Sequence, residues 1–194
     1  MSTQSLPPTE RLQQLLPQLF EPVETSGERY LECQLTPELT AILPLRWVQQ
    51  SKVVPATLIT PIPLMPPSFL GLLESQNQVI GVVQLSHLFE LSQERSSLRQ
   101  YPLIIIRLDS LSRPPSNDGY ISNDGQFVGL AVHKITRLVN YPSGRLQPMN
   151  AQADYDIDSS LLKGIIPIAD GSERLVLDMV AIANRIQRLR LVNA

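Results

Sequence analysis

Cysteine is nearly absent from this 194-residue chain: Cys33 stands alone. No internal disulfide can form, so nothing in the sequence asks for an oxidising compartment. Histidine is almost as scarce. His87 and His133 lie far apart, and neither has a cysteine pair beside it. A zinc site needs three or four such ligands, and no third can be nominated. Aromatic residues make up 5% and nowhere interleave with basic ones as on an RNA-stacking sheet. The formal net charge is −2, without the basic surplus that displaces counterions from phosphates, which points away from nucleic acid. No apolar run approaches the roughly 20 residues of a membrane-spanning helix. The start, MSTQSLPPTERLQQ, lacks the basic-then-apolar pattern of a secretory signal. These absences predict a cytoplasmic location and no membrane insertion.

The signatures of common chemistries are missing too. Neither G-x-x-x-x-G-K nor G-x-G-x-x-G occurs, nor the G-x-S-x-G turn that presents a nucleophilic serine. Carboxylates are present, but no pair is marked by spacing as an acid and base. The expectation is a protein without catalysis, with no catalytic residues, metal or cofactor. What the chain has in quantity is proline, 17 in all, and a hydrophobic fraction of 43%. Proline interrupts helix interiors and central strands, so many short elements joined by turns are expected. That favours barrels or sandwiches over a helical bundle.

Along the chain, Leu12, Leu15, Leu16, Leu19 and Phe20 fall at helical spacing after the Thr9 cap, with Pro17 as a kink. Such an arm docks on a partner or covers its own domain, the commoner fate of amphipathic helices. Residues 29–35 alternate, with Leu31, Cys33 and Leu35 on one side and Glu32 and Gln34 on the other. Cys33 on the apolar side reads as a small core residue. Residues 39–45 continue the alternation as a hairpin partner, and 46–54 read as a further strand or edge segment. Residues 55–67 carry five prolines. They predict an extended connection whose Leu58, Ile59, Ile62 and Leu64 pack against the body. Strands are expected at 78–85, 103–108, 126–132, 133–141, 161–168 and 174–177. Ser86 is expected to cap a short helix, and Asp178 a longer one through 190. Between 109 and 125 SNDG occurs twice, which suits tight turns in an enlarged hairpin loop. Asp109, Asp118 and Asp124 supply oxygen there, but not at calcium-loop spacing, and no closing Glu follows.

The most specific pattern spans residues 63–85, PLMPPSFLGLLESQNQVIGVVQL, followed by SHLFEL. It resembles the CheW-like coupling proteins of chemotaxis signalling. Those share P-x-x-P-x-F-[VIL]-x-G-[VIL], a polar N-L-R-G turn, an apolar strand and a short helix. A looser match runs in order through an opening strand pair, IIIRL, FVGLAVHKI and LVLDMVAIANRI, covering roughly residues 28–190. The polar turn departs from the pattern. The family's arginine position reads Gln76 and its glycine Asn77, and the glutamate position following Val48 reads Gln50. In the family that arginine and glutamate are paired. Here both positions are glutamines, which still hydrogen-bond.

The resemblance implies a mainly β fold: two small SH3-like five-stranded β-barrel subdomains and a C-terminal helix over residues 28–194. Residues 1–27 form an added N-terminal helical arm. It further implies an adaptor between the regulatory domain of a CheA-like histidine kinase and the tips of methyl-accepting receptors. The partner-binding residues it implies are Val48, Gln50, Phe69, Gly71, Gln76 and Asn77. Two other readings stay open. One is a CheW-fold module recruited to another partner through the arm. The other is a small β-barrel enzyme or nucleic-acid binder.

Overall fold

The computed structural model describes residues 27–75, 77–91, 98–108, 126–142, 144–149 and 157–191. Eleven strands and two α-helices lie among them. The strands are β1 (Glu28–Gln34), β2 (Thr40–Pro44), β3 (Val48–Pro55), β4 (Ile59–Thr60), β5 (Phe69–Ser75), β6 (Gln78–Gln84), β7 (Gln100–Arg107), β8 (Phe127–Ala131), β9 (Lys134–Tyr141), β10 (Leu162–Pro167) and β11 (Glu173–Leu177). Helix α1 (Leu85–Leu88) follows β6, and α2 (Met179–Leu191) ends the described chain. The fold is mainly β, as expected. It has a five-stranded sheet ordered β10-β11-β2-β1-β9 and a six-stranded sheet ordered β3-β7-β8-β6-β5-β4. The sixth strand, β4, is two residues long.

The two sheets repeat one plan. From β9 inward, the first sheet runs antiparallel, antiparallel, parallel, antiparallel. From β3 inward, the second runs the same way. The last partner corresponds as well: β4 lies antiparallel to β5, and Gln147 bridges antiparallel to Ile165 in β10. Each sheet has a bulge at a glycine, Gly71 opposite Val82 and Gly164 opposite Val176. Both glycines take φ that L side chains rarely adopt, +146° and +153°. A Cβ on Gly71 would stand 2.2 Å from the Thr60 carbonyl oxygen, and one on Gly164 2.2 Å from that of Gln147. Only glycine lets the outermost segment approach that closely.

Three apolar clusters follow from this plan. The largest lies between the sheets. It joins Leu31, Cys33, Leu35 and Leu43 of the first to Val83, Ile104, Ile106 and Leu130 of the second, and adds Phe89, Met179, Ile182 and Ile186. Alternation then leaves each sheet a second apolar face. Val54, Ile59, Leu73, Ile80, Val82, Leu103 and Ile105 cluster on the second sheet. Tyr30, Ile42, Ile166 and Val176 cluster on the first. Glu32 also lies on that face, and it is buried rather than solvated. Its carboxylate accepts from Arg137 Nε at 3.2 Å and Arg174 Nε at 3.0 Å, which offsets the cost of removing its charge from water.

Several expectations need correction. Ser86 lies inside α1 and is buried; the cap position is Gln84, whose Nε2 donates to Ser86 Oγ at 3.1 Å. In the proline-rich connection only Ile59 is buried, while Leu58, Ile62 and Leu64 are exposed. The connection is also less extended than expected, with a 3₁₀ turn at Ala56–Leu58 and then β4. Asp178 does cap α2, accepting from Val180 and Ala181 backbone N–H groups at 3.0 Å each. The N-terminal arm and the twin-SNDG loop with Asp109, Asp118 and Asp124 lie outside the described residues.

Two outcomes are expected. Gly71→Ala and Gly164→Ala each lower stability in urea unfolding by about 2–3 kcal/mol, the size of a forced backbone strain. Gly144→Ala, at φ +93° with nothing within 4 Å of a Cβ, loses about 1 kcal/mol. Burial, with a smaller contribution from the Glu32 charge, pushes the Cys33 thiol up to about 12 from 9.0. Burial raises Tyr30 and Tyr141 as well. A raised thiol or phenol stabilises the fold fully below its unfolded value and loses that contribution as pH climbs toward the folded one. The melting temperature therefore falls from pH 9.0 upward, and Cys33→Ala flattens part of that decline.

Candidate functional site

Among the described residues strand β3 pairs only with β7 and forms one edge of the second sheet. Its register slips between Val48, opposite Ile106, and Gln50, opposite Ile105, so Gln49 is an extra residue in a bulge. A bulge turns neighbouring side chains out of strict alternation and re-aims them. Val48 stays half-buried against the cluster between the sheets. Gln49 and Gln50 instead line a hollow of about 370 Å³ with Ser75, Gln78, Ile80, Ile105 and Phe127. The floor is the end of the second sheet's own cluster, which holds Ile80 and Ile105.

The far wall of the hollow is the β5–β6 turn. Lys52 Nζ donates to Ser75 Oγ at 2.6 Å, tying edge strand β3 to the end of β5. The turn reverses through Asn77 at φ 60°, a left-handed conformation that asparagine tolerates better than most residues. Gln76 lies outside the described residues. Of the expected residues, Gln50 thus lines the hollow and Asn77 shapes its turn. Gly71 does not contact this site; it permits the approach of β4.

Phe69 serves elsewhere. It packs against the cluster between the sheets and lines a second hollow of about 390 Å³ with Ile62, Met65, Pro66, Gln84, His87 and Tyr101. A third hollow of about 430 Å³ shares Pro66, Pro67 and His87 with it and continues to Arg185 and Leu189 on α2. Among the described residues His87 Nδ1 is buried without a hydrogen-bond partner. Arg185 is held by Glu90 at 3.1 Å. Among the described residues no group of three His, Cys, Asp or Glu could hold a metal ion, and no helix there is long and apolar enough to cross a membrane.

Gln49, Gln78 and Phe127 join the site without having been expected from sequence. Gln49 follows from the bulge, which leaves no mark in residue type. Phe127 follows from the pairing of β7 with β8. The turn supplies a test. Asn77→Gly changes stability by less than about 0.5 kcal/mol, while Asn77→Val costs about 1–2 kcal/mol because a branched residue resists positive φ; chemical unfolding of the three proteins measures both.

The arrangement has the character of a docking surface: an edge strand, a fixed polar turn, and apolar floors open to solvent. Comparison with known proteins agrees with the fold. The chain is similar to the crystal structure of the scaffolding protein TtCheW from Thermoanaerobacter tengcongensis, with a TM-score of 0.60 and 19% identity over 82% of this chain and 88% of that one. No curated protein sequence matches it. The family model of the CheW-like domain matches residues 29–187. That span takes in β2 through β11 whole, all but the first residue of β1, and most of α2, so the chain belongs to the CheW-like domain family.

Proposed function

We propose that the chain is a non-catalytic cytoplasmic adaptor that couples a CheA-like histidine kinase to chemoreceptors in chemotaxis, phototaxis or pilus-motility signalling. The family match over residues 29–187 carries this reading. The description of the similar TtCheW structure as that of a scaffolding protein supports it. In this reading residues 28–194 form the coupling domain and residues 1–27 an added arm. Each sheet curls round its own cluster as a small SH3-like barrel. The kinase's regulatory domain pairs barrel to barrel with one end of the molecule. The receptor tip contacts Val48, Gln50, Gln76 and Asn77. Phe69 and Gly71 hold the supporting strand in place. Apolar contact supplies most of the affinity at such a surface, and polar residues at the rim fix register.

Calorimetry tests the reading directly. The cognate kinase's regulatory domain and a helical receptor-tip fragment should each bind the full chain with dissociation constants at or below tens of micromolar. No heat with either partner at that concentration refutes the coupling role.

A further inference from the structure

The first sheet carries unequal charges on the face that holds Glu32. That side chain, 5% exposed, is shared by two guanidinium groups, Arg174 at 15% and Arg137 at 63%. Both bonds are made by Nε. Arg174 also commits a terminal nitrogen, to Ser172 Oγ at 2.8 Å and the Glu173 carbonyl at 3.2 Å. Arg137 makes no further hydrogen bond among the described residues, so its two terminal nitrogens remain as a fork on an exposed side chain. Tyr141, four residues along β9, lies on the same face, opposite Glu28. Its hydroxyl stands in the field of Glu32 and of Arg174, Arg137 and Arg145. Arg145 is exposed and has no ion pair among the described residues.

The opposing carboxylates are few. Glu28 is held by Arg46 and accepts from the Tyr30 hydroxyl. Asp170 is bonded to Ser172, which holds its carboxyl below the usual range, and Arg174 lowers it further. Three arginines, 137, 145 and 174, thus meet two carboxylates, Glu32 and Asp170. One positive charge is left over in a chain whose net charge is −2.

We propose that this place receives a carboxylate from an acidic segment of a partner protein, gripped end-on by Arg137 with Arg145 and the Tyr141 hydroxyl beside it. A guanidinium fork is planar and matches the two oxygens of a carboxylate. Glu32 holds Arg137 Nε from inside the fold and so fixes the direction of the fork, which leaves less side-chain freedom to lose on binding. A single carboxylate balances the surplus charge, whereas a doubly charged phosphate overshoots it. Lys134 lies on the same face by register, opposite Gln34, and extends the positive field along β9 toward further acids of the segment. The site is separate from the hollow beside β3, and the inference goes beyond the coupling reading without resting on it.

The test is calorimetry of the full chain with an end-blocked pentaglutamate peptide at about 50 mM NaCl, where exposed charges are weakly screened. A single-site isotherm is expected, with a dissociation constant of about 1 mM or below. An end-blocked pentaglutamine peptide gives no heat. Raising NaCl to about 500 mM weakens the binding at least about tenfold. Arg137→Lys keeps a cation beside Glu32 but loses the fork, and weakens binding at least about fivefold. Arg145→Gln weakens it at least about threefold, while Arg188→Gln on the exposed side of α2 leaves it within about twofold. Absence of heat with pentaglutamate overturns the site. Equal losses in Arg145→Gln and Arg188→Gln, or wild-type affinity in Arg137→Lys, overturn it as a diffuse charge effect. Tighter binding of inorganic phosphate than of the peptide overturns it in favour of a phosphate site.

Discussion

The apolar cluster between the two sheets is the constraint on which the rest of the molecule depends. Each sheet is apolar on both faces, so neither can leave one face to water. Joining them back to back buries the shared faces of β1 and β2 against those of β6, β7 and β8. α1, α2 and Phe89 close the margins of that layer. Cys33, at 0% exposure in this layer, has no route to solvent. The outward faces then have to be satisfied locally, and the two sheets do so differently. The first sheet closes its face with a glutamate and two arginines. The second leaves a depression ringed by amides.

Bulges convert this layered arrangement into a usable surface. A flat edge strand such as β3 would present an unbroken row of main-chain donors and acceptors, a template for unwanted pairing. The slip after Val48 bends β3 and brings Lys52 within reach of Ser75. That hydrogen bond fixes the two walls of the hollow relative to each other. The hollow is therefore set by backbone geometry together with one hydrogen bond, and needs no flexible loop. Preformed sites of this kind spend little of their binding energy on ordering.

Much of this was legible in the sequence, and the reasons for what was not are physical. Period-two alternation located β1 and β2, while short apolar or β-branched runs bounded by polar residues located β6, β7 and β8, as expected for strands buried on both faces. The Asp178 cap was legible because an N-cap carboxylate is local chemistry. Ser86 misled for the same reason: it is a good capping residue, but Gln84 at the end of β6 took the position and Ser86 was drawn into the core. Glu32 read as the solvated side of β1. Its partners lie 105 and 142 residues away, beyond any local pattern. The extra residue Gln49 in β3 was equally hidden, since a bulge depends on the pairing partner. The resemblance named Gln50 and Asn77 together with Phe69 and Gly71; in the fold Gln50 lines the hollow beside β3 and Asn77 turns next to it, while Phe69 lines a different hollow and Gly71 admits β4.

The shared strand plan also governs the order in which the molecule comes together. The second sheet is one unbroken stretch of chain from β3 to β8, whereas the first takes β1 and β2 from one side of it and β9 to β11 from the other. During synthesis β1 and β2 emerge first yet cannot be flanked until the last third of the chain has left the ribosome. Loop-closure entropy makes that wait thermodynamically cheap, but long-range pairing is slow. For that interval, among the described residues, the β1–β2 hairpin carries Leu31, Cys33, Leu35 and Leu43 with only the growing second sheet to cover them. The half of the protein that holds the hollow is thus also the half that shelters the other while it is incomplete.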